Sequence, residues 1–412
     1  MEIVRHGKYK SAVEPFLRDD MSEANREQIT ELLTSIWETI STEASESRDI
    51  PLERFNDMVD KFVSRNSEGA LKNRLVDGIL YKDQYENILK SRIGIEKDDD
   101  INIIKLSDYI SGMKKNNYLE RERKDKIAVI YAEGEIKKSF KGPYGEAGIS
   151  YESMRKALRE VSKDDDVKAI VLRVNSPGGD AMESDMIWRE IEIAKKKKKV
   201  YISMGNYAAS GGYYIACGAD KIFAEKTTIT GSIGVFAMLP NAGKLANKIG
   251  IHSEQVSTHK NSSPYSIFKP LSGSTRDFIK ESIDHIYDRF LSKVAKGRGL
   301  KVTYVDSIAQ GRVWTGEQGK KIGLVDEIGG VDDAIEMAAD GLSDYSIVNY
   351  PKKKLNLENI ISEISKPIKV GKLPFSDLEI LRPFYEDMKM IEAFSNGGSK
   401  YYTRLPYKLN IK

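Results

Sequence analysis

Two glycine-rich turns are the places where this sequence could carry out chemistry. The first is NSPGGD, Asn175–Asp180, and the second is GNYAASGGYY, Gly205–Tyr214. Each turn follows an apolar run that is typical of a buried strand. Glycines at a strand end let backbone N–H groups turn towards a ligand, and a helix that begins there adds its positive end. Such a place suits a developing oxyanion, and Ser210 in the second turn is a candidate nucleophile.

The oxyanion donors expected here are the backbone N–H of Ser210 and that of Gly178 or Gly179. A second interpretation stays open on local sequence alone. In it, Ser210 is only the N-cap of a helix, and the glycines only allow close packing. A phosphate-binding P-loop is disfavoured because neither turn contains GK[ST].

A serine nucleophile needs a base, and the histidines do not offer an obvious one. The chain has His6, His252, His259 and His285, none of them in a recognisable triad context. A lysine can serve if burial lowers its pKa from ~10.4 towards neutrality, at about 1.36 kcal/mol per pKa unit. Lys10 precedes the apolar residues of SAVEPF, and Lys260 lies at the matching place of an internal repeat (260 − 10 = 250). Both lysines are therefore candidates.

That repeat has an offset of about 250 residues. Met21–Ile29 (MSEANREQI) matches Leu271–Ile279 (LSGSTRDFI), and Ala70–Ile79 matches Gly319–Ile328. Apolar positions recur at helical spacing in both copies, so we expect the same helix face to be buried in each. These positions are Ile29, Leu33, Ile36, Trp37 and Ile40 in the first copy and Ile279, Ile283, Ile286, Tyr287 and Phe290 in the second.

The second copy opens with an alternation of strands and helices that the first copy lacks. KIAVIYAEGEI, AIVLRVN, KVYISM and KIFAE predict buried strands, and SYESMRKALREVS and SDMIWREIEIAKKK predict helices between them. This order indicates an α/β fold. We expect a shortened first copy over 1–93, a linker over 94–124, a complete second copy over 125–343 and a tail over 344–412.

Composition bounds the classes of function. The 412 residues are 40% hydrophobic and 31% charged, which is typical of a globular protein with more than one packed unit. The formal net charge of +3 does not call for a nucleic-acid partner. Cys217 is the single cysteine, so no internal disulfide and no zinc cluster are expected. No apolar run approaches the ~18 to 20 residues of a membrane span.

Several motifs together resemble the signal peptide peptidase SppA family, also called protease IV. They are RVNSPGG, MGNYAASGGYYIA, TGSIGVF, IAQGRVWTG and GLVDEIG, in order, while YKSAVEPFLRDDMS resembles the lysine-bearing segment of the long, two-repeat form. The likeness covers nearly the whole chain except part of the linker and the tail. It implies a fold like that of the Clp protease proteolytic subunit and the crotonases, with stacked β/α layers in a tandem repeat whose first copy is incomplete here.

The resemblance also implies roles for single residues. Ser210 corresponds to the nucleophile and Lys10 to the general base, and Ser232 to the serine that orients the lysine amine. Gly178 and Gly179 correspond to the oxyanion turn. Lys260 stands where the short, single-repeat relatives carry a lysine that they lend to a neighbouring subunit, so it is the alternative base. No metal or other cofactor is implied.

The activity implied is that of a serine endopeptidase that degrades cleaved signal peptides and similar short apolar peptides. The partners implied are peptide substrates and other copies of the chain, in a ring or bowl that is a tetramer by resemblance. The location implied is the extracytoplasmic face of the bacterial cytoplasmic membrane, although the anchor of the relatives is not found in this sequence. An inactive assembly subunit is the alternative, and a crotonase-type acyl-CoA enzyme is a more distant one.

Overall fold

The structure is a computed structural model, and it describes residues 1–96, 99–115, 125–138, 148–259, 262, 265–351 and the backbone of 401–404. The strands are β1 Glu2–His6, β2 Lys126–Glu133, β3 Val167–Ser176, β4 Gly178–Asp180, β5 Lys199–Ala209, β6 Lys221–Ala224, β7 Ile229–Gly231, β8 Val235–Leu239, β9 Val313–Thr315, β10 Glu327–Ile328, β11 Ser346–Tyr350 and β12 Tyr401–Arg404. The helices are α1 Glu23–Ser47, α2 Leu52–Asp60, α3 Ser67–Lys72, α4 Lys82–Ile93, α5 Leu106–Lys115, α6 Tyr151–Lys163, α7 Ala181–Lys195, α8 Gly211–Ala216, α9 Gly243–Lys248, α10 Gly273–Arg298, α11 Val302–Ile308, α12 Gly316–Lys321 and α13 Val331–Ala338. A 3₁₀ helix spans Ser11–Phe16.

A mainly parallel sheet forms the centre of the second copy. Its strands lie in the order β10-β6-β5-β3-β2-β11, with β7 paired to the end of β5 and β9 paired antiparallel to β7. Helices α6 and α7 connect successive parallel strands, as a parallel sheet requires. The predicted strands and helices of this region are therefore confirmed.

Both faces of this sheet are buried, which explains why its strands are continuous apolar runs. Ala128 and Ile130 of β2 point into the larger core, together with apolar residues of α6, α7 and α8. Ile127 and Val129 point to the opposite face, where Ile335 of α13 packs. Burying each such Val or Ile side chain stabilises the fold by roughly 1.5–3 kcal/mol. The α/β class is confirmed.

A second, antiparallel sheet lies beside the strand ends. Its order is β1-β8-β12-β4, so the first and last of the described strands both join residues of the second copy. In the pairing of β1 with β8, Glu2 lies opposite Leu239 and His6 lies opposite Val235. This pairing brings the segment that follows β1 to the second copy.

The internal repeat is visible in the bounds of its helices. Helices α1, α2 and α3 begin at Glu23, Leu52 and Ser67, and α10, α11 and α12 begin at Gly273, Val302 and Gly316. The offsets are 250, 250 and 249 residues (273 − 23, 302 − 52 and 316 − 67). The repeat therefore extends to the order and spacing of three helices, including α2 and α11, which the sequence comparison did not single out.

The expectation that the same helix face is buried in both copies is wrong. Ile283 and Phe290 of α10 are fully buried, because this face packs on α8, β1 and β8. On α1 the corresponding Leu33 and Ile40 are 45% and 43% exposed. Residues 34–123 carry only helices in the part of the chain that is described, so no sheet of their own covers that face.

Two compact units make up the chain. One consists of Met1–Leu33 with Lys124–Lys412, and the other is Thr34–Arg123. The first 33 residues thus belong to the same unit as the second copy. The domain boundaries expected from the repeat, 1–93, 94–124, 125–343 and 344–412, stay a prediction.

Candidate functional site

Lys10 reaches the site through the loop that follows β1. Its side chain is fully buried, with 0% exposure. The Tyr9 N–H donates to the Gln310 carbonyl at 2.8 Å, which fixes the loop on the segment before β9. Gly7 has φ +110°, and a Cβ there would lie 2.6 Å from the Gln310 oxygen. A glycine is therefore needed at this turn for the loop to approach so closely.

Ser210 lies between the end of β5 and the start of α8. Its φ of 56° and ψ of −116° are an uncommon conformation for a residue with a side chain. Pairing of β5 with β7 holds it there, and its own N–H donates to the Gly231 carbonyl at 2.8 Å. Its side chain makes no capping hydrogen bond, so the N-cap interpretation does not describe this serine. Such strained residues concentrate at functional sites.

The structure brings Lys10 and Ser210 together although 200 residues separate them. Lys10 Nζ lies 2.7 Å from Ser210 Oγ, and it lies 3.0 Å from both the carbonyl oxygen and Oγ of Ser232. A neutral amine has two N–H donors and one lone pair. If both N–H groups donate to Ser232, the lone pair faces the Ser210 hydroxyl, which donates to it.

Burial lowers the pKa of Lys10 well below its ordinary value. Removing an ammonium from water disfavours the charged form, and here desolvation is the cause of the shift. Ser210 and Ser232 are fully buried themselves, and their hydroxyl groups carry no negative charge that would stabilise the charged ammonium. The site therefore favours the neutral amine, which is the form that can accept a proton.

Ser232 is itself held in an unusual conformation. Its φ is 51°, and its N–H donates to the Arg312 carbonyl at 2.7 Å. It follows Gly231, the residue whose carbonyl accepts the Ser210 N–H. One short segment thus contacts both members of the Lys10–Ser210 pair, which explains how it can set their relative orientation.

The glycine turn at β4 lies beside the start of α8. A Cβ at Gly212 would lie 2.6 Å from the Ser176 carbonyl, so the two turns are in close contact. The Gly178 N–H donates to Ser176 Oγ at 3.2 Å. Asp180 then caps α7, because its carboxylate accepts the N–H groups of Met182 and Glu183 at 2.8 and 2.9 Å. The turn is thereby anchored at both ends.

One expectation about the oxyanion donors is wrong. The Ser210 N–H donates to the Gly231 carbonyl, so it is not available to the carbonyl oxygen of a substrate. The next backbone N–H is that of Gly211, the first residue of α8, and such groups have no acceptor within their own helix. The donor expected at Ser210 is therefore one residue too early, because the positive φ of Ser210 has no signal in the sequence.

Two supporting groups were not predicted as site residues. Gly311 has φ +77°, and a Cβ there would lie 2.7 Å from the backbone N and Cβ of Lys10. The buried Gln28 side chain donates to the Tyr9 carbonyl at 2.9 Å and to Ser11 Oγ at 3.0 Å, on both sides of Lys10. Gly311 lies in the IAQGRVWTG motif, which was the available signal, whereas nothing in the sequence pointed to Gln28.

Lys260, the alternative base, lies outside the described residues. Burial raises the pKa of the Cys217 thiol to about 12, which keeps it protonated. Within the described ranges, no cluster of three or more potential metal ligands is found, and no helix is long and apolar enough to span a membrane.

Comparison with known proteins agrees with the motifs. Protease 4 of Haemophilus influenzae is 39% identical over 345 residues, which cover 82% of this chain and 55% of that protein. The chloroplastic serine protease SPPA of Arabidopsis thaliana is 35% identical, over 89% of this chain and 53% of its own length. Protease 4 of Salmonella typhi is 38% identical, over 82% and 54%. The chain thus spans about half the length of these relatives.

The family follows from these matches. ClpP1 (N165D mutant) from Listeria monocytogenes, a solved structure, shares 17% identity over 50% of this chain and 94% of its own, with a TM-score of 0.34. That similarity is too weak to argue from. The model of peptidase family S49 matches residues 1–96 and 192–344, which is more than half of the chain. The SppA-type resemblance is thereby confirmed, as the α/β fold is by the structure itself, and the chain belongs to peptidase family S49.

Proposed function

We propose that this chain is a serine endopeptidase with a Ser/Lys dyad, in which Ser210 is the nucleophile and Lys10 is the general base. The observation that carries the proposal is the buried amine of Lys10, 2.7 Å from Ser210 Oγ. Among the described residues, the hydrogen bond of the Ser210 side chain is to this amine and not to a histidine. Membership of family S49 supports the same reaction class.

The reaction starts from neutral Lys10. Its lone pair accepts the Ser210 proton while Oγ attacks the carbonyl carbon of a peptide bond, and the protonated amine then gives that proton to the leaving amine. Water hydrolyses the resulting ester, with Lys10 again accepting and returning a proton. The Ser232 oxygens hold the amine in one orientation throughout.

Oxyanion stabilisation falls to backbone donors. The Gly211 N–H at the start of α8 is the first proposed donor, with the Gly178–Gly179 turn as the proposed source of a second, and preorganised donors of this kind stabilise the tetrahedral intermediate. The close contact of Gly212 with Ser176 keeps the two turns together. We assign the first donor to Gly211 because Gly231 occupies the N–H of Ser210.

Cleaved signal peptides and similar short apolar peptides are the proposed substrates. The resemblance to the SppA family supports this class, and the names of two relatives describe a protease 4 and a serine protease. Antiparallel pairing at β4 offers such peptides a backbone partner beside Ser210.

Assembly into a ring or bowl of several copies, at the extracytoplasmic face of a membrane, belongs to the same proposal. One segment supports association: residues 251–258 are the repeat counterpart of residues 1–8, which include β1. They form neither helix nor strand and are exposed, with Val256 fully so. A strand from one copy could pair there with the edge of another, and sedimentation of the purified chain tests whether it associates.

Labelling by a fluorophosphonate tests the activity directly. We expect purified protein to be labelled at Ser210, and Ser210→Ala to lose both labelling and peptide hydrolysis. Lys10→Ala should lower kcat by about 10³-fold or more, since it removes the general base, whereas Lys260→Ala is the matched control and should change kcat little. If the wild-type chain is not labelled, the alternative of an inactive assembly subunit is favoured. If Lys260→Ala alone abolishes labelling, Lys260 is the base.

A further inference from the structure

A buried glutamine on α1 lies beside the segment that carries the proposed base. Gln28 is 1% exposed, and its Nε2 lies 2.9 Å from the Tyr9 carbonyl oxygen and 3.0 Å from Ser11 Oγ. These two acceptors belong to the chain neighbours of Lys10 on either side. A third acceptor, Asn25 Oδ1 at 3.1 Å, belongs to α1 itself. Helix α1 therefore holds the Lys10 segment through the amide nitrogen of this one side chain.

The oxygen of the same amide reaches the strand that supports the nucleophile. The Val313 N–H donates to Gln28 Oε1 at 3.4 Å. Val313 is the first residue of β9 and lies opposite Gly231, whose carbonyl accepts the Ser210 N–H at 2.8 Å. One buried side chain thus links the segment of Lys10 to the strand pair that holds Ser210.

This position requires both a donor and an acceptor in one side chain. A backbone carbonyl can only accept, so the nitrogen of Gln28 must face Tyr9. A backbone N–H can only donate, so the oxygen must face Val313. An amide meets both needs, whereas a carboxylate lacks the donors and an ammonium lacks the acceptor. Without the amide, water is the partner that would replace it at these backbone groups.

The titratable side chains around the Lys10 segment are paired with one another. The pairs are Arg5 with Glu14, His6 with Asp284, Lys8 and Tyr9 with Glu27, and Arg312 with Glu27 and Glu31. Desolvation is the cause of the lowered pKa of Lys10. That pKa therefore depends on how well the segment excludes water.

We propose that Gln28 is a positioning residue of the peptidase, which holds the Lys10 segment against β9 and thereby keeps water away from the Lys10 amine. The inference rests on the proposed function. Gln28 acts through the neighbours of Lys10 and through β9, not by contact with the reacting atoms. If the segment loosens, water reaches the amine and the charged form is no longer disfavoured. Less of the base is then neutral at a given pH.

The test replaces Gln28 with methionine in the full-length chain. Methionine has a similar length and no side-chain N–H. The rate of fluorophosphonate labelling of Ser210 is measured over a series of pH values. This reaction needs the neutral base but no bound peptide, so the fall of its rate at low pH, the acidic limb, reports the protonation of Lys10. We expect Gln28→Met to move this limb by about one pH unit to higher pH, which slows labelling about tenfold below it.

Two further variants separate positioning from stability. Val161→Ala shortens a fully buried side chain of α6, a helix that packs on α7, β2 and β3, so it should lower the unfolding midpoint and leave the acidic limb in place. Ser11→Ala removes one acceptor of the Gln28 amide and should move the limb by part of the shift. Combined in one chain, Ser11→Ala and Gln28→Met should give less than the sum of their shifts, because they remove a shared hydrogen bond.

The outcomes are distinct for the inference and for the proposed function. An acidic limb at the wild-type position in Gln28→Met and in Ser11→Ala overturns the positioning role, and so does an equal displacement in Val161→Ala. If Gln28→Met does not fold, the limb of Ser11→Ala decides in the same way. A wild-type chain that is labelled at no pH refutes the proposed function instead.

Discussion

Replacing Lys10 with methionine isolates the free energy of burying an amine in this site. Methionine keeps an unbranched chain of similar length and removes the titratable group. Two effects oppose each other. The variant loses the contacts of Nζ with Ser210 and Ser232, and it also no longer needs to give up a proton on folding. The pH dependence separates the two, because only the second effect involves a proton.

The sign follows from the direction of the pKa shift. Burial lowers the pKa of Lys10 in the folded state, whereas in the unfolded chain it stays near ~10.4. Between these two values the unfolded chain binds a proton that the folded chain does not, so the stability of the wild type rises with pH by about 1.4 kcal/mol per unit. Below the folded-state pKa the contribution is constant. Loss of the hydrogen bonds costs Lys10→Met about 1–3 kcal/mol at every pH.

Urea unfolding of the two proteins between pH 8 and pH 9.5 provides the assay. We expect the free energy of unfolding of the wild type to rise, relative to that of Lys10→Met, by about 2 kcal/mol over this range. Lys280→Met, at an exposed position of α10, controls for the loss of one lysine from the chain. A difference between wild type and Lys10→Met that does not change with pH would mean that the buried amine keeps its proton, and it would refute Lys10 as a general base.

Two further substitutions test the groups that position Lys10. Ser232→Ala should lower kcat about 10- to 100-fold with little change in KM, because Nζ loses one of its acceptors. Ser232→Gly is the control, because glycine adopts the φ of 51° without strain and also lacks the hydroxyl. Recovery of activity in the glycine variant would contradict a role for Oγ. Gly311→Ala should destabilise the fold by about 1–3 kcal/mol and reduce peptide hydrolysis, because its Cβ would lie 2.7 Å from Lys10. Gly250→Ala has the same φ of +77° and nothing within 4 Å, so equal effects of the two alanines on hydrolysis and on the unfolding midpoint would argue against the clash.

Local periodicity accounts for what could be predicted of the fold. Strands β2, β3, β5 and β6 are continuous apolar runs because the sheet is covered on both faces, and the helices between them carry apolar residues at helical spacing. The same signal revealed the repeat, whose helices begin 249 to 250 residues apart. It failed at the exposed face of α1, since periodicity shows which face is apolar but not whether a partner covers it.

The residues of the site were named from motifs, but the backbone conformation that orients them could not be. GNYAASGGYY indicated Ser210, and the apolar neighbours of Lys10 made it one of two candidate bases. The choice of Gly211 over Ser210 as oxyanion donor depends on the positive φ of Ser210 and on its hydrogen bond to Gly231. Neither feature has a signature in the residues themselves.

By itself, the sequence determined the residue types available for catalysis, the α/β alternation and the repeat, because each of these depends on neighbours a few residues apart or on a match between two segments. Only the tertiary structure decided that the amine of Lys10 meets the hydroxyl of Ser210, and that β12 lies beside Gly179. Both contacts join segments about 200 residues apart. Burial and strand pairing over such separations are set by the packing of the whole unit, and that same burial lowers the pKa of Lys10.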